Sequence, residues 1–485
     1  MLSPSPLVLA LALLAPVAPL FGQGTAAAQE HAEKALQFAQ AGDLKSAETE
    51  LRKAVELSPG DPALLTSLGG ILGMEGNLLE ANTYLAKAVK LNPQDPASRR
   101  NLAANQWQLG QLKEAHENLD RLVRANPRDK IALFLLGMVS ERQKDYRRST
   151  ALLESVPEVM ERQPDGWIAL ASSYYHTNRR EDARKTLRRL VGRGGNTRIA
   201  FLGGQAAMDA QDYQTAEALF ATARSTASDP AVVEFEIAMA QYRDGRAAQS
   251  EKTLLEAIQA KHAHSDAYVL LCKVLVDQGG DIRALRFAAQ AVQAFPDAYD
   301  AVSMKGSLEM KLRYYNEAVT SYEKAVKLKP ESAGAKRDLA SAQWRAGMRE
   351  RAVLAFEQAM RQFPRDAMTY QVYGTLLVED ATPESRSHAA GLFERAIALD
   401  NSSAESRYQL ANIEMEDGKP ERALPHLEGA IKLNPQDSRF HFALSRVYRR
   451  LGRSSEADKE METYHKLKGA QRPEAGSDSA QGTQR

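Results

Sequence analysis

A fixed interval of 34 residues separates equivalent residues along most of this chain. The interval recurs in three registers, in alanines (Ala47, Ala81, Ala115), glycines (Gly42, Gly76, Gly110) and prolines (Pro59, Pro93, Pro127). It returns downstream at Ala284, Ala318 and Ala352, at Pro296, Pro330 and Pro364, and at Ala423 and Ala457. Such a period predicts copies of one supersecondary unit, because each copy buries its apolar face only against its neighbours.

Residues 62–95 show what one copy contains. Two stretches of about 14 residues each carry apolar residues at helical spacing. Gly76 and Asn77 between them predict a turn. Pro93 ends the second stretch, because proline has no amide hydrogen and clashes with the preceding helical turn. Each copy is therefore predicted to be a helix, a turn, a second helix and a stop.

This helix-turn-helix period, with its small residue, alanine and proline at fixed places, resembles the tetratricopeptide repeat (TPR). The resemblance implies an all-α fold, an α-solenoid wound as a right-handed superhelix whose first helices line the concave side. About 13 repeats fill residues 29–469, and the Gly-, Ser- and Gln-rich residues 470–485 are predicted to be disordered. The array leaves no room for a separate catalytic domain, so enzymatic activity is not expected.

Three copies depart from the regular pattern. Pro157 is expected to shorten the second helix of repeat four, and Gly203-Gly204 stands in repeat six where a large and a small residue are expected. In repeat eleven the interval grows from 34 to 37, which places about three extra residues in the turn near Pro383.

Residues 1–28 resemble a secretory signal peptide. An apolar run from Leu7 to Phe21 precedes small residues, and Ala26-x-Ala28 offers a cleavage site before Gln29. Cleavage there predicts an exported protein, periplasmic or secreted. The alternative is an apolar run that is retained as a membrane anchor, and a membrane is a partner only in that case.

The ionisable composition argues against several classes of partner and site. The chain has 63 Lys and Arg against 62 Asp and Glu, so no overall field favours nucleic acid. The only cysteine, Cys272, lies at the packing position equivalent to Gly69 and predicts a buried, inert thiol. His262 and His264 lack a third ligand nearby, and no phosphate-binding loop or metalloprotease motif occurs, so no metal or cofactor is expected.

The TPR resemblance implies that positions 2, 5, 9 and 12 of each first helix face inward. In repeats three to seven these positions carry many aromatic residues and methionines, unlike the flanking repeats. The candidate partner-binding residues are Trp107, Phe134, Met138, Ile168, Tyr175, Phe201, Met208, Phe235, Met239 and Tyr242. We expect them to form a groove for an apolar peptide or an amphipathic helix of a protein partner. The alternative is that they pack between neighbouring first helices.

Two basic groups offer further surfaces. The first lies on the turn and second helix of repeat five: Arg179, Arg180, Arg184, Lys185, Arg188, Arg189 and Arg193. The second lies in repeat thirteen: Arg439, Arg446, Arg449 and Arg450. The first group is interpreted as a solvated basic face, and the alternative is that it docks an anionic surface or polymer. The second group could bind a carboxylate.

These observations predict a non-catalytic scaffold for protein-protein interaction. The resemblance to exported TPR proteins implies a role in assembling an envelope, secretion or polysaccharide-export complex. Two alternatives stay open: a membrane-tethered adaptor, and a regulatory or substrate-presenting subunit of an enzyme such as a glycosyltransferase. The oligomeric state does not follow from the sequence.

Overall fold

The computed structural model describes residues 25–191, 197–224 and 226–470. All regular secondary structure within these ranges is helical, in 27 helices without a strand. The helices belong to two compact units, Met1–His264 (unit 1) and Ser265–Arg485 (unit 2).

The described part of unit 1 contains fifteen helices. They are α1 (Ala26–Gln40), α2 (Leu44–Leu57), α3 (Pro62–Met74), α4 (Leu78–Leu91), α5 (Pro96–Gln108), α6 (Leu112–Ala125), α7 (Lys130–Arg142), α8 (Tyr146–Glu154), α9 (Pro157–Arg162), α10 (Asp165–His176), α11 (Arg180–Arg188), α12 (Thr197–Asp209), α13 (Tyr213–Ala223), α14 (Pro230–Arg243) and α15 (Ala247–Gln259).

The described part of unit 2 contains twelve helices. They are α16 (Ser265–Asp277), α17 (Asp281–Ala294), α18 (Tyr299–Lys311), α19 (Tyr315–Leu328), α20 (Ala333–Arg345), α21 (Arg349–Gln362), α22 (Ala367–Val378), α23 (Pro383–Leu399), α24 (Ala404–Glu416), α25 (Pro420–Leu433), α26 (Ser438–Arg450) and α27 (Ser454–Ala470).

With the short helix α9 set aside, these helices form thirteen consecutive pairs, which confirms the predicted all-α repeat fold. Seven pairs lie in unit 1 and six in unit 2. The alanine register of the sequence forms the innermost layer of each pair, with an exposure of 0% throughout. Its members are Ala47, Ala81, Ala115, Ala183, Ala216, Ala284, Ala318, Ala352, Ala389, Ala423 and Ala457, with Ser149 and Ser250 in repeats four and seven.

Within a pair, a small residue of the first helix faces a large residue of the second helix. A Cβ atom on Gly69 would lie 2.6 Å from Leu85 Cγ, and one on Gly204 would lie 2.5 Å from Phe220 Cε1. Gly204 is therefore a packing residue that makes room for the Phe220 ring. Cys272 takes the same place in repeat eight and is fully buried, as predicted.

The turn inside each pair needs one residue in the left-handed backbone region. Gly76 has φ +87° there, and glycine costs least in this conformation because it lacks a Cβ atom. Lys144 (φ 65°) and Arg313 (φ 64°) take the equivalent place in repeats four and nine. The helical pair therefore forms in these repeats despite the strain of a side chain at positive φ.

The two irregular helices have separate causes. In repeat four α8 stops at Glu154, and Pro157 starts the separate helix α9, which confirms that this second helix is shortened. In repeat eleven the prediction of a longer turn was wrong in the main, because the extra length extends α23 to 17 residues. Thr382 accepts a hydrogen bond from the Ser385 amide and Pro383 occupies the first turn, so the helix begins early.

Both predicted end segments fall mostly outside the described residues. Residues 1–24, with the apolar run of the predicted signal peptide, and residues 471–485, with the predicted disordered tail, are not described. Helix α1 begins at Ala26 after the Thr25 cap, so the predicted cleavage site after Ala28 lies in its first turn, where Ala28 is buried. Within the described ranges, every helix is too short or too polar to cross a membrane.

Candidate partner-binding site

A cavity of about 490 Å³ lies between the first helices of repeats four, five and six. We call it the repeat 4–6 cavity, and it is contained within unit 1. One part of its wall is apolar and comes from Ile168, Leu202 and Ala206. Apart from Ala210, the rest is polar and comes from Glu141, Ser172, Tyr175, His176, Asn178, Arg180, Gln205, Asp209 and Gln211. The cavity therefore offers an apolar surface directly beside ionisable groups.

Glu141 is the half-buried carboxylate of this cavity. Burial raises its pKa above the usual value of 4.5, and the hydrogen bond from Ser172 with the charges of Arg142 and His176 only partly offsets that effect. The Ser172 hydroxyl donates to Glu141 Oε1 at 2.8 Å. A carboxylate whose charge is poorly compensated gains from an added positive charge, so Glu141 is suited to hold a lysine or arginine side chain.

Tyr175 is fixed at the edge of the cavity by the next repeat. Its hydroxyl donates to Asp212 Oδ2 at 2.9 Å, and Arg184 Nε donates to the same oxygen at 2.8 Å. Burial alone would raise the pKa of Asp212, but the hydrogen bonds from Arg184 and Tyr175 and the charges of Arg184 and Arg180 hold it below 3.8. This buried carboxylate joins repeats five and six, and it gives the Tyr175 ring a defined place.

A second half-buried carboxylate lies outside the cavity. Burial raises the pKa of Glu236, on the first helix of repeat seven. Glu236 does not line the repeat 4–6 cavity. It therefore provides a carboxylate of similar environment against which the role of Glu141 can be measured.

Comparison with known proteins identifies the repeat. A family model described as a tetratricopeptide repeat matches residues 32–96, 168–233, 303–367 and 408–458, about half of the chain, and a second model of the same description matches residues 74–136. The chain belongs to the tetratricopeptide repeat family.

Individual relatives of this TPR chain are distant. Anaphase-promoting complex subunit 3 of Schizosaccharomyces pombe (strain 972 / ATCC 24843) is 20% identical over 196 residues, which are 40% of this chain and 29% of that protein. The TPR chain thus matches less than a third of the length of that relative. Among solved structures, yeast Tom70 is 16% identical with a TM-score of 0.45, covering 91% of this chain and 92% of that chain. The Cut9-Hcn1 hetero-tetramer of the APC/C is 12% identical with a TM-score of 0.39, covering 92% and 94%.

Four of the ten predicted groove residues of the TPR array are core residues. Trp107, Phe134, Met138 and Ile168 are between 1% and 7% exposed and belong to one core cluster of unit 1. For Phe134 the cause is visible, because a Cβ atom on Gly166 would lie 2.6 Å from its ring and 2.7 Å from Met160 Cγ. The first helix of repeat five thus packs on Phe134 beside Met160 of α9, and for these four residues the prediction of a groove lining is corrected to interhelical packing.

The other six predicted residues are half-buried: Tyr175, Phe201, Met208, Phe235, Met239 and Tyr242. Tyr175, Phe201 and Met208 pack against the core cluster while keeping part of their surface exposed. The Phe201 ring lies 5.3 Å from the Phe220 ring, centroid to centroid. Only Ile168 and Tyr175 of the ten line the repeat 4–6 cavity. Whether the six bind a partner stays a prediction.

The search for aromatic residues and methionines missed the polar part of the cavity. Glu141 is at position 12 of its first helix, and Ser172 and Gln205 are at position 9 of theirs. These are among the inward positions that the TPR resemblance implied. A search of these positions for any unusual residue, polar or apolar, would have found them.

Three of the six described basic residues of repeat five, Arg179, Arg180 and Arg184, are paired within the array, and Lys185, Arg188 and Arg189 are exposed. Arg179 lies 2.8 Å from both Glu154 and Asp182, and Arg184 pairs with the buried Asp212. Internal carboxylates thus offset part of this charge, and the docking of an anionic surface on the remaining exposed residues stays a prediction. Arg193 lies outside the described residues.

In repeat thirteen, Arg439 binds Asp437 at 2.7 Å and Glu405 at 3.0 Å. Arg449 lies 3.9 Å from Asp458, and Arg446 and Arg450 are exposed. Arg439 is therefore already paired within the protein. Binding of a carboxylate by Arg446, Arg449 and Arg450 stays a prediction.

The histidine pair lies at the end of unit 1. His264 Nε2 is 3.5 Å from Asp229 Oδ2. Across the described ranges, His, Cys, Asp and Glu side chains form no group of three or more that could hold a metal ion.

Proposed function

We propose that this TPR scaffold binds a protein partner through the repeat 4–6 cavity and the half-buried apolar residues of the neighbouring first helices. The observation that carries the proposal is the half-buried Glu141 carboxylate beside the apolar wall of Ile168, Leu202 and Ala206. An amphipathic helix or extended peptide would place an apolar side chain on that wall. A lysine or arginine about one helical turn away in its sequence would then reach Glu141.

A second apolar surface is proposed on α14, where Phe235, Met239 and Tyr242 are spaced by four and three residues and so share one helix face. Methionine and aromatic side chains supply much of the energy in such contacts and adapt to the shape of the partner. A segment longer than a few residues is therefore the partner we favour. The scaffold itself is proposed to be non-catalytic.

We place this binding in the assembly of an envelope, secretion or polysaccharide-export complex. The support is the signal-peptide pattern of residues 1–28, which predicts an exported protein. If the run from Leu7 to Phe21 is retained, the same scaffold is a membrane-tethered adaptor. If the protein copurifies with an enzymatic activity, it is a regulatory or substrate-presenting subunit of an enzyme.

Site-specific photo-crosslinking tests the proposal. A benzoylphenylalanine replaces the exposed cavity residue Gln205 in the full chain, expressed in its native host. The expected product is a crosslinked peptide with a basic residue close to the attachment point, identified by mass spectrometry. A second copy with the crosslinker at exposed Gln249, on the second helix of repeat seven, controls for collisions.

Two matched substitutions then test whether the Glu141 carboxylate binds the basic residue of the partner. Glu141→Gln should weaken binding of the identified peptide roughly tenfold, because a hydrogen bond between charged groups contributes about 1.5–3 kcal/mol. Glu236→Gln removes a half-buried carboxylate of α14 that does not line the cavity, and it should weaken binding much less than Glu141→Gln does. Equal crosslinking from positions 205 and 249, or equal effects of the two substitutions, would show that the partner binds elsewhere.

A further inference from the structure

A second cavity, of about 560 Å³, lies in repeat three and at its junctions with repeats two and four. Three arginines line it, Arg99 and Arg100 from α5 and Arg121 from α6. Among the described residues that line it, Asp129, just before α7, is the only one with a carboxylate. We call it the arginine cavity, and it lies within unit 1 apart from the repeat 4–6 cavity.

The single carboxylate is already engaged. Arg100 Nη2 lies 2.7 Å from Asp129 Oδ2, and both side chains are about nine-tenths buried. The other oxygen of Asp129 accepts from the amides of Ile131 and Ala132, so this residue also caps α7. Asp129 therefore balances Arg100 and the helix terminus, and Arg99 and Arg121 have no ion pair with any described residue.

Arg99 is held by neutral acceptors. Its guanidinium donates to Asn118 Oδ1 at 3.0 Å and to the Pro93 carbonyl at 2.6 Å. Burial and the nearby charge of Arg121 lower the pKa of Arg99, so the two guanidiniums oppose each other's charge. Arg121 is exposed. The cavity thus gathers three positive charges against one negative charge.

A buried hydrogen-bond donor of Arg100 also indicates a site for an anion. Arg100 Nε is shielded from solvent and has no hydrogen-bond partner among the described residues. Native proteins rarely leave such a donor unsatisfied, because its lost hydration is not repaid. An arginine with spare donors beside two further guanidiniums is a common arrangement for recognising an oxyanion with several acceptor oxygens.

We propose that the arginine cavity binds a phosphate group. The excess of two positive charges matches a phosphate dianion, whereas a single carboxylate would leave one charge uncompensated. Planar guanidiniums present paired donors to adjacent phosphate oxygens, which favours this anion over a spherical one. The phosphate arrives either as the free ion or as a phosphomonoester, and the test separates these sources. This inference is independent of the proposed partner binding.

Isothermal titration calorimetry on the full chain tests it. Inorganic phosphate, glycerol 3-phosphate and acetate are titrated at one pH and one ionic strength in a chloride buffer. Saturable binding of either phosphate compound, at least tenfold tighter than acetate, supports the site. Tighter binding of glycerol 3-phosphate assigns an ester ligand, and tighter binding of inorganic phosphate assigns the free ion.

Two arginines of α6 provide the matched pair. Arg121→Gln removes a charge that lines the cavity, and it should weaken phosphate binding roughly tenfold. Arg124→Gln removes the same charge from the same helix, where an 81% exposed side chain pairs with Asp120, and it should change binding less than twofold. Circular dichroism confirms that both variants fold. Absence of saturable phosphate binding, acetate binding of equal strength, or equal loss in both variants would overturn the proposal.

Discussion

Ser172 donates a hydrogen bond of 2.8 Å to Glu141 and so joins the first helices of repeats five and four. This bond crosses a boundary between stacked pairs, where the stability of a repeat protein is partly decided. The accepting carboxylate is at the same time the carboxylate of the repeat 4–6 cavity whose pKa burial raises. One contact therefore serves the stacking of the array and the chemistry of the proposed site.

We predict that Glu141→Gln raises stability at neutral pH while it lowers partner affinity. Burial raises the pKa of Glu141 in the folded state, so the fold binds its proton more tightly than the unfolded chain does. Stability therefore falls as pH rises from the unfolded value of 4.5 through the raised folded value. A neutral glutamine avoids this loss and keeps an acceptor for Ser172.

Urea unfolding of the two proteins measures this effect. The midpoint of Glu141→Gln should exceed that of the wild type at pH 7, and the difference should disappear below pH 4.5. Removing a functional group often raises stability at the expense of activity. A gain in stability together with a loss of partner affinity would therefore identify Glu141 as a binding residue. A lower midpoint at pH 7 would instead assign Glu141 a structural role.

Asp212 should show the opposite pH dependence. Asp212→Asn removes the negative charge that Arg184 binds and one of the two acceptor oxygens that serve Arg184 and Tyr175, and we expect a loss of roughly 1–3 kcal/mol at pH 7, since Arg184 is partly solvated. The pKa of Asp212 is lowered on folding, so its contribution is present above pH 3.8 and is lost as pH falls through the folded value. The substitution should therefore matter less in acid.

Asp182→Asn is the control for this measurement. Asp182 pairs with Arg179 on the surface, where both side chains are about two-fifths exposed. Exposed pairs contribute little, so its effect should stay within about 0.5 kcal/mol. If chemical denaturation shows the same loss of unfolding free energy for both substitutions, burial would not make Asp212 more important for stability than an exposed carboxylate.

The repeat positions were predictable because they depend on local periodicity. The burial of Ala81 and Cys272 follows from the 34-residue interval alone, since every helical pair uses the same inner face. The exposure of a first helix depends instead on its neighbours. Phe134 and Phe235 both occupy position 5, yet only Phe134 is fully buried, because residues beyond the shortened α8 cover it. No interval in the sequence encodes that covering.

The polar residues that line the two cavities could not be predicted from the sequence for a different reason. Arg99 and Arg121 are on different helices and 22 positions apart in the sequence, so their proximity follows only from how repeat three folds. Glu141 occupied an expected inward position, but a lone glutamate in a helix resembles many exposed ones. Its distinguishing property is burial, which the sequence does not display.

Gly69→Ala should destabilise unit 1. The new Cβ atom would lie 2.6 Å from Leu85 Cγ and 3.1 Å from the Ala81 carbonyl oxygen, so the two helices of repeat two must separate. Such overpacking costs roughly 1–3 kcal/mol. Gly391→Ala is the reverse case, because no atom lies within 4 Å of its Cβ position inside α23, and it should gain about 0.5–1 kcal/mol from helix propensity. Thermal unfolding of each variant measures both shifts, and a loss in Gly391→Ala would contradict the packing argument.

Cys272 should resist alkylation until unit 2 unfolds. Its side chain is fully buried and its Sγ donates to the Ala284 carbonyl at 3.3 Å. Burial raises the pKa of the thiol to about 12, and the thiolate is the reactive form. Iodoacetamide at pH 8 should therefore leave the native protein unmodified over hours and label it fully in urea, as read by intact mass. Labelling at the urea midpoint of the helical signal would tie reactivity to unfolding of the array, whereas rapid labelling of the native protein would show that repeat eight opens locally.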